Sequence, residues 1–236
     1  MADLHLHTLY SDGTASIRDL LDWVEERTSL DLIAIADHDR VDGALRARDQ
    51  HAARRYSFEL VVGEEVTTLS GHIIALFVEE PIPAYRSAAA TVERIHAQHG
   101  LAVAAHPLGL AQSIGSRALR RLQADPRPDR RLDAIELVNP RLSGRARQAE
   151  RARLAERLAL PGIGSSDAHV LDGVGSAWTW FAGTSAAAFR AALANGAVEA
   201  AGTHWTLRRN VAIYGRQLVA RGRHLRHTLR PTGEWR

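Results

Sequence analysis

Two histidines separated by one residue, His5 and His7 in Ala2-Asp3-Leu4-His5-Leu6-His7-Thr8, stand at the head of the chain in a spacing suited to chemistry. Along an extended strand alternate side chains share a face, so Leu4 and Leu6 can meet apolar neighbours while two imidazoles aim at one point. Imidazole is a common ligand for zinc and other divalent transition ions. Clusters of compatible type recur: Ser11-Asp12-Gly13, Asp37-His38-Asp39, Gly63-Glu64-Glu65, Gly71-His72, His106-Pro107 and Ser166-Asp167-Ala168-His169. Each is read as lying at or just past the end of an apolar, strand-like run. The chain has no Cys, which excludes disulfides and thiolate sites. Any metal must then be held by nitrogen and oxygen, which suits zinc, manganese or iron. All 30 basic residues are Arg, and the absence of Lys rules out Schiff-base catalysis and a Walker-type lysine.

The elements that must position these residues alternate between strand and helix, the pattern of βα units and a parallel sheet. A strand over 2–7 precedes a helix over 16–27, where Ile17, Leu20, Leu21 and Val24 form a helical stripe and Ser16 is a candidate N-cap. Strands are expected at 32–36, 60–62, 72–78, 101–105, 133–138, 160–164, 175–181 and 197–201. Helices are expected near 41–54, 85–99, 111–122, 143–158, 185–195 and 204–227. The strand at 72–78 follows so short a turn that it should pair with its predecessor. In a parallel barrel the functional groups collect at the C-terminal ends of the strands.

With 236 residues, 45% hydrophobic and 24% charged, the chain suits one large globular domain with a sizeable core. Met1 leads almost directly into the first strand and no apolar run approaches ~18 residues, so a cytoplasmic location with no membrane partner is expected. From Thr203 onward eight Arg face one acid, a net +7, which leaves −4 for residues 1–202 out of the whole-chain +3. A basic tail could meet a polyanion. No nucleic-acid motif accompanies it, and the preferred reading is a solvated helix face lying on an acidic body.

The ordered set of six motifs, over residues 2–180, resembles the PHP family (polymerase and histidinol phosphatase), metal-dependent phosphoesterases. The resemblance implies an α/β fold of one domain, a distorted seven-stranded, TIM-like (β/α) barrel, taken to span 1–203; the residues after it, 204–236, are read from their own composition as a basic helical tail packed on it. It also implies nine metal ligands: His5, His7, Asp12, His38, Glu65, His72, His106, Asp167 and His169. Asp12 would otherwise be an ordinary turn residue. The family's Gly-x-Glu pattern picks Glu65 as a carboxylate able to bridge ions, leaving Glu64 as surface charge. Asp37 and Asp39 could orient the His38 ring or be turn carboxylates. The remaining histidines, 51, 96, 99, 204, 224 and 227, receive no role. Nine ligands exceed the needs of one ion and fit a cluster of two or three divalent ions (Zn2+, Mn2+ or Fe2+).

Such ions can share a water and lower its pKa from about 15.7 towards neutrality. The catalytic group expected is therefore a metal-bridging hydroxide, with no separate catalytic residue. Arg141, in Asn139-Pro140-Arg141 after an expected strand, is the candidate for binding substrate oxygens; an ordinary helix-start Arg is the alternative. The expected function is hydrolysis of a small phosphate monoester or nucleotide. One alternative is a carboxylic ester or carbamate, because Gly63-Glu64-Glu65-Val66-Thr67-Thr68 with Gly71-His72 looks like the branch that includes carbaryl-type hydrolases. The other is cleavage of short oligonucleotides. No oligomeric state follows from the sequence.

Overall fold

A computed structural model describes residues 1–109, 112–141, 145–213 and 215–216. The elements are β1 (Ala2–Leu6), α1 (Ile17–Arg27), β2 (Leu32–Ile35), α2 (Asp42–Arg54), β3 (Glu59–Thr68), β4 (Gly71–Leu76), α3 (Ala88–Ala97) and β5 (Leu101–Ala104). They continue with α4 (Ser116–Gln123), β6 (Ala134–Val138), α5 (Gln148–Leu158), β7 (Gly162–Gly164), β8 (Ala177–Phe181), α6 (Ala186–Ala194) and β9 (Val198–Gly202). Ser16 caps α1 as its sequence suggests: its hydroxyl accepts from the Asp19 amide and donates to the Asp19 carboxylate. Residues 207–213 are helical. The rest of the helix expected over 204–227, and most of the Arg-rich tail, lie outside the described residues, as does the start of the helix expected at 143. Among the described residues no helix is long and apolar enough to cross a membrane.

The strands form one sheet in the order β7-β6-β5-β4-β3-β2-β1-β8-β9. This corrects the seven-stranded expectation: β1 to β7 run round the sheet in chain order, and β8 and β9 extend it beyond β1. The sheet is also not wholly parallel. β3 and β4 are joined by Leu69 and Ser70 alone, a link that only an antiparallel pair can make, and β4 also runs antiparallel to β5. The reversal has a consequence for the site. β4 offers its first residues, not its last, at the end where β3 finishes, so His72 lies there from the start of a strand.

Alternate strand residues feed two apolar clusters. One joins Ile33, Ile35, Val62, Ile73 and Ala104 to the buried stripes of α1 to α5. The other takes the opposite faces, with Leu4, Ala34, Val61, Ile74, Val103, Ala134 and Ile163 meeting Phe189 and Leu193 of α6. Leu4 and Leu6 fall in different clusters, contrary to the simple alternation expected. The reason is a register shift in β1 between Asp3 and Leu6, which moves the later residues by one position.

The sheet nearly closes. The Thr179 hydroxyl of β8 accepts from the Gly164 amide at 3.0 Å and donates to the Gly164 carbonyl at 2.9 Å, tying β7 to β8. Gly164 is needed there, because a Cβ would lie 2.4 Å from the Trp178 carbonyl oxygen. Just beyond β7, Ala168 pairs with the end of β1: the His7 amide donates to Ala168 and the Ala168 amide to His5. Replacing Thr179 by Val keeps the shape but leaves both Gly164 groups buried without partners. It should lower the unfolding free energy by about 2 kcal/mol, read from the urea midpoint, and an unchanged midpoint would refute the seam.

Candidate metal centre

The same strand faces carry the polar residues. By alternation, Glu65 continues the row of Val61, and His72 that of Ile74, on the face of the second cluster. The β1 register shift brings His5 onto this side beside Leu4. At the end of β5, His106 has φ +27°, which turns its side chain out of the strand's alternation. Asp167, at φ +51°, bends the chain after β7 so that it and His169 meet the end of β1.

All nine residues expected as ligands come together around Glu65. Its Oε2 lies 3.1 Å from His5 Nε2, 3.3 Å from His7 Nε2 and 3.1 Å from His38 Nδ1. Its Oε1 lies 2.8 Å from His72 Nδ1 and 2.9 Å from His106 Nε2. Asp167 Oδ1 approaches His7 Nε2 at 3.4 Å and His5 Nε2 at 3.8 Å. Asp12 Oδ1 is 3.0 Å from His169 Nε2 and 3.7 Å from His38 Nε2. Three groups have donor atoms within 4.8 Å of one another: His7, Asp12, His38 and His169; His5, His7 and Glu65; and His38, Glu65 and His72.

Burial and charge test whether a cation fits. His5 Nε2, His7 Nε2, Glu65 Oε2 and His72 Nε2 are buried without a hydrogen-bond partner. Unpartnered buried polar atoms are costly; here the first three converge, and a divalent ion would satisfy them. The donor set is all imidazole and carboxylate, which suits borderline to hard divalent ions. Burial alone would raise the Glu65 carboxyl, but His38 and His5 hold it well below the usual range. Asp167 is held low in the same way against burial, by Arg141 and His5. Burial works against a charged His7, yet its contacts with Asp167 and Glu65 raise it to about 9. His169, stacked on His7 with ring centroids 4.0 Å apart, is lowered to about 4 by burial and by the neighbouring charge.

Arg141 reaches the same site: Nη1 is 3.1 Å from Asp167 Oδ2 and Nη2 is 3.1 Å from His169 Nδ1. The acids flanking His38 serve the loops instead of its ring. Asp37 accepts from the Thr8 amide and from the Thr8 and Ser11 hydroxyls, fixing the turn that leads to Asp12. Asp39 accepts from the Thr67 amide. Glu64 is not surface charge: it is buried, accepts from the Ile82 amide, and is raised to about 7 by burial. His51, His96 and His204 bond elsewhere, to Phe58, to Asp129 and Asp133, and to Gln148. His224 and His227 lie outside the described residues. Sequence reasoning missed Glu136, whose carboxylate sits 3.0 Å from His5 Nδ1. An acid between Ile135 and Leu137 in an apolar strand was the available signal.

Comparison with known proteins gives three kinds of likeness. The model of the family described as PHP-associated matches residues 147–198. An uncharacterized protein of Methanocaldococcus jannaschii is 32% identical over 150 residues, covering 58% of this chain and 81% of that protein. The phosphoribosyl 1,2-cyclic phosphate 1,2-diphosphodiesterase of Eggerthella lenta is 32% identical over 102 residues, 40% of this chain and 38% of that protein. A solved two-domain protein from Bacteroides vulgatus, containing a predicted PHP-like metal-dependent phosphoesterase, shares the fold with a TM-score of 0.67 at 20% identity. The match covers 86% of this chain and 64% of that one, under two thirds of its length.

Metal ligation requires neutral imidazole, so an ion held through His7 would have to displace its proton, since its neighbours raise that ring to about 9. Zinc titrated into the metal-free protein at pH 7 should release about one proton or more. The calorimetric heat should then vary with the buffer's ionisation enthalpy, and the affinity should fall as the pH is lowered. A heat independent of buffer would contradict this charge arrangement.

Proposed function

Because the chain belongs to the PHP family, we propose that it is a metal-dependent phosphoesterase acting on a small phosphate monoester or nucleotide. The observation that carries this reading is the buried carboxylate of Glu65, with three imidazoles near one oxygen and two near the other. That arrangement suits a bridge between ions. His5, His7 and Asp167 would hold one ion with Glu65; His72 and His106 would share a second. Asp12, His38 and His169 would supply a third. Bound divalent ions would lower the pKa of water and neutralise phosphoryl oxygens.

The remaining work falls to the chain's own residues. Asp167 and Glu65 keep their negative charge in a buried setting, so they stay available as ligands at neutral pH. His169 stays neutral beside His7, leaving a lone pair to donate. Arg141, expected from its place in the chain to bind substrate oxygens, meets Asp167 while keeping its side chain 20% exposed. A phosphoryl oxygen could replace part of that contact, since Arg presents paired donors to oxyanions. An ester or carbamate substrate would be better served by a mouth without Arg, so Arg141 favours phosphate.

Zinc- or manganese-loaded protein should release phosphate from a panel of monoesters and nucleoside monophosphates. Glu65→Gln should reduce kcat/KM by about 10³-fold or more, since metal-ion catalysis contributes several kcal/mol. Arg141→Ala should cost about 10²-fold. No phosphate from any substrate with metal demonstrably bound would sink the phosphoesterase reading; turnover of carboxylic esters in the same panel would transfer it to the alternative.

A further inference from the structure

The proposed centre leaves Glu136 without a part, although it is as deeply buried as Glu65. It lies behind the ligands, on β6, and its two oxygens are divided between them. Oε1 is 3.0 Å from His5 Nδ1 and also accepts from the Ser165 hydroxyl. Oε2 accepts from the backbone amide of His106. The Nε2 atoms of His5 and His106 reach opposite oxygens of Glu65, at 3.1 and 2.9 Å. Their rings stack, with centroids 5.9 Å apart and planes 16° from parallel.

We infer that Glu136 is the positioning residue for both His5 and His106 as cation ligands, acting on the ring of one and the backbone of the other. This rests on the metal-centre reading above. An imidazole ligates through one nitrogen only if the other holds the proton, and the group facing that second nitrogen chooses which. With Glu136 facing Nδ1, the Nδ1–H form is selected and the Nε2 lone pair of His5 turns to the site. At His106 the problem is different. A non-glycine residue at φ +27° is strained, and the hydrogen bond from its amide to Glu136 helps hold it in that conformation. One side chain therefore places ligands on both sides of the bridging carboxylate. Glu136 itself cannot join them, because both its oxygens are engaged on the far side of the His5 ring.

Glu136→Gln tests this with little change of volume. A glutamine that keeps its oxygen towards His106 presents an NH2 to His5, and so favours the wrong tautomer. Zinc affinity at the sites using His5 and His106 should fall about 10–100-fold, measured by equilibrium titration followed through the histidine ring signals in long-range ¹H–¹⁵N spectra. The rings of His38 and His169, which do not touch Glu136, should still respond at wild-type zinc concentrations. Equal zinc dependence of all four rings in variant and wild type would overturn the inference. So would their joint loss, which would mean a general collapse. Should the variant not fold, the zinc-loaded wild type decides: His5 must show a protonated Nδ1, and coordination through Nδ1 refutes the proposal. A wild-type protein that binds no zinc or manganese would remove the metal centre itself, a failure distinguishable from all of these.

Discussion

One carboxylate organises this molecule. Glu65 is fully buried, yet it stays ionised because five imidazoles crowd its two oxygens. A buried charge without such company would neutralise or destabilise the fold. Several departures from a regular parallel barrel bring those imidazoles to it. The register shift in β1 brings His5 round to Leu4's side, the reversal of β4 places His72 at the right end, and left-handed backbone at His106 aims its ring. Each irregularity coincides with a ring that reaches Glu65, which is where a fold is expected to break local rules.

The charges around that carboxylate are graded. His7 is driven up by its contacts with Asp167 and Glu65, and His169 is driven down by burial and by repulsion from His7, on which its ring stacks. Asp167 is shared between Arg141 on one oxygen and His5 and His7 on the other. The cluster is therefore polarised, with His7 favouring its charged form and His169 its neutral form. That polarity is a property of the packing, and no single motif encodes it.

Much of the site was legible in the chain because imidazoles and carboxylates at successive strand ends have little structural use apart from holding a cation. His5, His7, Asp167 and His169 carry their own geometric warrant in the alternate spacing. Asp12, Glu65 and His72 needed the family resemblance to stand out from ordinary turns. What escaped was set by tertiary contact. Glu64 reads as surface charge because its neighbour Glu65 takes the inward face, but the segment bearing Ile82 folds over it and buries it. Leu4 and Leu6 look equivalent under a period of two, and only the pairing of β1 with β2 reveals the slip between them. The strand runs at 175–181 and 197–201 were readable, while the family likeness implied seven strands, so the extra pair β8 and β9 follows from the chain itself.

The bridge between Leu6 and Ala168 joins the two halves of the centre across nearly the whole length of the barrel sequence. During synthesis the first histidine pair leaves the ribosome long before its partners Asp167 and His169 exist. A nascent chain can thus assemble β1 to β6 while the groups proposed to hold a cation are still incomplete. Closing so distant a contact carries a large loop entropy and makes it a late, slow event. Capture of an ion at the proposed centre would thereby be coupled to the finished barrel, since a truncated or half-folded product would lack Asp167 and His169.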